Sequence, residues 1–102
     1  LPYVKTTNRI AFTAQNIAVP AAAPGINLPN IQIPSGFSLT LRANVNNVGD
    51  IYISNSLANV LVAATRITLN PGDTVTLFVT NANLVVVLGT GAGQTIDILV
   101  EQ

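Results

Sequence analysis

From residue 36 onward apolar and polar positions alternate with a period of two, the spacing of a strand with one face buried. In Phe37-Ser-Leu-Thr-Leu-Arg-Ala-Asn-Val45 the odd positions are apolar and the even ones polar. Ile51-Tyr-Ile-Ser54 puts Ile51 and Ile53 inward and Tyr52 on the other face, and Arg66-Ile-Thr-Leu69 alternates again. Val75, Leu77 and Val79 share one face of Thr74–Thr80, while Phe78 breaks the rule and points outward with the threonines. Thr95–Val100 closes the series, with Ile96 and Ile98 inward and Asp97 on the solvent face. Between these runs stand Asn46-Asn-Val-Gly-Asp50, Asn70-Pro-Gly-Asp73 and Asn81-Ala-Asn83, whose Asn, Gly and Asp tolerate the backbone angles of turns. Gly89–Gly93 is expected to be a hairpin loop.

Two runs depart from the alternation. Val60-Leu-Val-Ala-Ala64 is short and apolar and is assigned as a strand, although its periodicity alone does not separate the alternatives. Leu84-Val-Val-Val-Leu88 is apolar on both faces, so it must be covered by the opposite sheet and also by an arm or a partner chain. About eight short strands at turn-separated spacing, with no helical period, predict an all-β antiparallel sandwich, jelly-roll or immunoglobulin-like, with a small barrel as the other closed solution.

The first third is different. Five of the six prolines lie at positions 2, 20, 24, 29 and 34, and proline belongs at strand ends, edges and turns. Short strands remain possible at Arg9–Ala14, with Ile10 and Phe12 on one face, and at Ile31–Ile33, joined through an extended connector, Val19–Gly25. The chain is therefore divided into a Pro-rich region, 1–34, and a sandwich body, 35–102, within one domain. The first region is either an edge-strand region with a loop or an extended arm that lies on a neighbouring subunit.

Charge sharpens this. Of 102 residues only Lys5, Arg9, Arg42, Arg66, Asp50, Asp73, Asp97 and Glu101 are charged, 8% of the chain and a formal net charge of zero. An ordinary soluble domain carries about 25%, and a net charge near zero favours association. Twelve Asn and 11 Thr fill solvent faces that Lys and Glu usually occupy. With no cationic cluster there is no electrostatic footprint for nucleic acid or an anionic membrane. Without Cys or His the chain has no thiolate nucleophile, no imidazole base and no zinc site of the usual ligands. No apolar run approaches the roughly 18 residues of a membrane span. The chain lacks Met and opens without a leader pattern, so it is expected to be a processed form.

Candidate chemistry is sparse. Gly89-Thr-Gly-Ala-Gly93 invites comparison with a phosphate-cradling loop, but that mechanism needs a helix directly after the glycines, and a strand follows. The four acids are far apart; Asp50 and Asp73 sit beside turns, where local hydrogen bonding accounts for them better than a calcium site does. Asp97 could pair across strands with Arg66 or Arg42. Ser and Thr are plentiful and lack an activating base, so no catalytic residue, cofactor or metal is assigned. Glycan recognition leans on exposed aromatic rings; Phe12 and Phe37 sit on apolar faces, leaving Tyr3, Tyr52 and Phe78 as contact candidates. The other candidates for contact with a second chain are Val60, Leu61, Val62, Leu84, Val86 and Leu88, together with the Pro/Ala-rich segment.

Four motifs in order carry a resemblance. Ile33-Pro-Ser-Gly-Phe37, Gly49-Asp-Ile-Tyr-Ile-Ser-Asn-Ser56, Leu69-Asn-Pro-Gly-Asp-Thr-Val-Thr-Leu77 and Gly93-Gln-Thr-Ile-Asp-Ile-Leu-Val-Glu101 together resemble small β-sandwich structural proteins of tailed-phage virions. The match covers residues 33–102, and Leu84–Leu88 lacks the tyrosine that the family often carries in that strand. The resemblance implies a non-enzymatic role in a virus particle: a capsid decoration protein that stabilises the shell through contacts with copies of itself and with a major capsid protein. A tail, fibre or small coat subunit is the nearest alternative, and a secreted or surface glycan- or protein-binding module the more distant one. The implied location is the virion, assembled in the host cytoplasm.

Overall fold

Strands form where alternation or a fully apolar run lets one face be buried, and in the computed structural model, which describes residues 13–101, eight of them build two sheets. They are β1 (Thr13–Val19), β2 (Ile26–Asn27), β3 (Ser38–Ala43), β4 (Ile51–Ser54), β5 (Ile67–Leu69), β6 (Thr74–Leu77), β7 (Val86–Gly89) and β8 (Gln94–Glu101). The first sheet runs β1-β8-β3-β6 and the second β2-β7-β4-β5, every pair antiparallel. The pairing is nested: first strand with last, second with seventh, third with sixth, fourth with fifth. The all-β sandwich expected from the alternation is thus the observed architecture.

The inward faces are the alternating positions. Leu39, Leu41, Ala43, Ile96, Ile98 and Val100 of the first sheet meet Ile51, Ile53, Leu69 and Val87 of the second in one buried cluster. Fully burying one such side chain contributes about 1.5–3 kcal/mol. Their cross-strand partners keep the register: Leu41 stands opposite Ile98, and Ile53 opposite Val87. A one-residue slip would turn every one of them to solvent.

Several expectations change. Val60–Ala64 is not a strand; two 3₁₀ turns, Asn59–Leu61 and Ala63–Thr65, occupy it. Side chains there bond the local backbone and displace ladder pairing. Ser56 Oγ accepts the Asn59 N–H at 3.0 Å, and the Thr65 hydroxyl donates to the Asn59 carbonyl at 2.7 Å. Ile31–Ile33 is reduced to a single bridge, Gln32 with Asn81, between two prolines that cannot donate to a ladder. Gly89–Gly93 is not a hairpin loop, because β7 and β8 lie in different sheets and the loop crosses between them. Of the strand expected over Arg9–Ala14, residues 13 and 14 lie in β1, which runs on to Val19; residues 9–12 lie outside the described ones.

Residues 13–34 are built into the sandwich. β1 and β2 stand at the edges of the two sheets, and Val19, Leu28 and Ile33 are buried in the main core. Among the described residues, 13–34 thus supply an edge strand to each sheet, as in the edge-strand alternative for this region.

Candidate functional site

Three of the residues proposed for contact with another chain are covered by their own. Tyr52 stands opposite Leu88, and Ser54 opposite Val86, so these side chains share the outer face of the second sheet. The β4–β5 connection folds back over that face and buries Val60 against Val86 and Leu88, with Tyr52 packed alongside. The double-sided burial expected of Leu84–Leu88 is present for Val86 and Leu88, but the cover is this loop, where an arm or a partner chain was the expectation. Arg66 latches the loop: its guanidinium carbon lies 3.4 Å from the Tyr52 ring centroid and it donates to the Val60 carbonyl at 3.2 Å. Such a cation–π contact contributes about 0.5–1 kcal/mol at an exposed site.

The remaining described candidates reach the surface. Leu61 and Val62 project from the same loop, and Phe78 is 86% exposed where β6 ends. Leu84 is half exposed at the end of a 3₁₀ turn, Ala82–Leu84, whose Asn81 side chain caps it by accepting the Asn83 N–H. Tyr3 lies outside the described residues.

Leu84 has neighbours that the alternation places inside. Ile67 faces the interior by register, opposite Ile53, yet is 48% exposed. The cause is topological: β5 and β6 are the free edges of the two sheets on the same side of the sandwich, and the core opens between them. The resulting groove encloses about 540 Å³, its lining including the apolar Ile67, Leu77, Val79, Leu84 and Val85 together with the polar Asn55, Asn59 and Arg66. Nothing in the one-dimensional pattern marks a strand as an edge, so the alternation alone assigns Ile67 and Val79 to the core. Val45 and Val48 are also exposed, in the β3–β4 connection at the other end.

The outer face of the first sheet carries the chain's ordered charge. Asp97 stands opposite Arg42 on one neighbour and Asn16 on the other. Of the two arginines considered for it, the register selects Arg42, whose Nε and terminal nitrogen donate to one carboxylate oxygen at 3.2 and 2.9 Å. Asn16 donates to the other oxygen at 2.7 Å. The Asn16 hydrogen bond, followed by the bond and charge of Arg42, holds the Asp97 carboxyl below its ordinary range against the opposing effect of partial burial. Beside this network lies a cleft of about 580 Å³ whose lining, among the described residues, includes Gln15, Thr40 and Thr74 and no aromatic ring.

The remaining candidate motifs serve structure. Asp50 and Asp73 both bond Asn70, the first through its side-chain amide at 2.8 Å and the second through its backbone N–H at 2.9 Å. Among the described residues no three His, Cys, Asp or Glu side chains converge. Gly89, at the end of β7, and Gly49, in the β3–β4 connection, make room for Gln94, a fully buried amide that donates to the Asp50 carbonyl at 2.8 Å. A Cβ on Gly89 would stand 2.8 Å from the Gln94 amide nitrogen, and one on Gly49 would stand 2.6 Å from its oxygen. Comparison of the chain with protein-family models, with curated proteins and with solved structures returns no match.

Proposed function

We propose that the chain is a non-enzymatic structural protein of a virus particle, a phage capsid auxiliary or decoration protein, and that its sandwich is a jelly roll. The observation that carries the reading is the nested pairing. An eight-strand antiparallel ribbon that pairs first with last and fourth with fifth, then rolls up, has the order β1-β8-β3-β6 over β2-β7-β4-β5. That order supports the double Greek key of a jelly roll. An immunoglobulin-like sandwich places its first two strands side by side in one sheet, whereas β1 and β2 lie in different sheets.

Jelly rolls serve in viral capsids and in lectins. The step from architecture to role is an analogy, and the surface supplies its chemistry. Eight charges, with Phe78, Leu84 and Val48 exposed, suit burial against other subunits. The glycan-binding alternative rests on the ordered Asn16–Asp97–Arg42 face, whose cleft offers, among the described residues, no ring for a sugar to stack on.

Sedimentation of the full chain over a concentration series is expected to show reversible association, and binding to shells of its capsid protein where that protein is supplied. A monomer at every concentration that also leaves such shells unbound would overturn the reading. A sugar-dependent signal on a glycan array would move the assignment to the lectin alternative.

A further inference from the structure

We propose that the groove between the β5 and β6 edges receives residues 1–12 of a second copy of this chain. The inference rests on the assembly reading above and adds where the contact is made and by what.

Three observations carry it. Among the described residues the groove has no covering segment, and it is bordered by two short edge strands of three and four residues, an arrangement that an added extended segment can pair with. Its lining includes Ile67, 48% exposed, and Leu84, 51% exposed, and its one charged member, Arg66, is already engaged with the Tyr52 ring and the Val60 carbonyl. The position of Thr13 supplies the occupant. One row across the first sheet runs Thr13, Val100, Leu39, Leu77, and Leu77 lines the groove. The chain therefore enters β1 at the groove's own end of the sandwich, three strand spacings or about 14 Å from the β6 edge.

The preceding 12 residues span up to about 40 Å when extended and supply Leu1, Tyr3, Val4, Ile10 and Phe12 as apolar side chains. That reach lets the segment cross to an adjoining molecule. Residues 28–33 already close this end of the parent sandwich: Leu28 and Ile33 are buried there, and the Ile33 N–H donates to the Thr80 carbonyl at 2.9 Å. A segment bound to its own groove would have to pass over that closure. Reciprocal insertion between copies avoids it and converts an exposed apolar groove into a subunit contact.

Lys5 is the chain's only lysine, and the chain has no cysteine, which makes the test specific. Full-length Leu84→Cys, prepared as an equal mixture of ¹⁵N-labelled and unlabelled protein, is treated with an amine-to-thiol crosslinker at an assembling concentration. Crosslinks from Lys5 to the introduced thiol that join labelled to unlabelled chains are expected. Full-length Leu84→Glu should weaken association about tenfold or more with an unchanged melting temperature, because the position is half exposed. Crosslinks confined to one isotope overturn the second-copy assignment and place the segment on its own groove. Assembly that persists in Leu84→Glu without Lys5 crosslinks overturns the groove as a contact and leaves the assembly reading standing. A wild-type monomer at every concentration overturns that reading and this inference with it.

Discussion

Asp97 is the residue whose contribution can be isolated by pH. Its carboxyl is held below the ordinary value of about 3.9 by Asn16 and then by Arg42. A group depressed in the folded state contributes stability that is complete above its unfolded value and is lost as pH falls through the folded one. Asp97→Asn is expected to cost about 0.5–1 kcal/mol at pH 7 and to cost less at an acid pH, as the wild type gives up its charge. Urea midpoints at the two pH values check this; an undiminished difference in acid would mean that the ion pair is not its source. The sequence left Arg42 and Arg66 as equal partners for Asp97. Only the β3–β8 register, with Arg42 directly opposite, separates them, while Arg66 goes to Tyr52 on the other sheet.

The element that behaves least like its composition is the β4–β5 connection. It is an apolar run with the makings of a strand, yet it serves as the cover of the second sheet's outer face. Val60→Ala should therefore cost about 2 kcal/mol, because Val60 is fully buried against Val86 and Leu88. Val62→Ala, two residues on and exposed, should stay within about 0.5 kcal/mol. Chemical denaturation of the two variants measures the difference, and equal costs would refute the role of the loop as cover. The need for a cover was legible in Leu84–Leu88, since a strand apolar on both faces cannot leave one in water. Its identity was not, because the covering residues lie more than 20 positions away and show no strand or helix period of their own.

At the scale of the molecule the first third is decisive. Deleting residues 1–34 removes β1 and β2, one edge of each sheet, and takes Val19, Leu28 and Ile33 out of the core. The truncated chain is expected to lose its cooperative thermal transition and the dispersed amide spectrum of a packed sandwich. A fragment 35–102 that melts cooperatively would return the region to the status of an arm.

Strand positions and their inward faces could be read along the chain, since side-chain alternation belongs to the local backbone and needs no partner. Scarcity of charge likewise announced a surface of Asn and Thr. Pairing is a property of distant segments: β1 meets β8 across about 80 residues, and no local preference encodes that meeting. Which strands became edges, which outer face was covered from within, and where the core was left open at Ile67 and Leu84 all followed from the pairing. The nested order decided them, because it sets which apolar faces meet in the core and which are left at an edge.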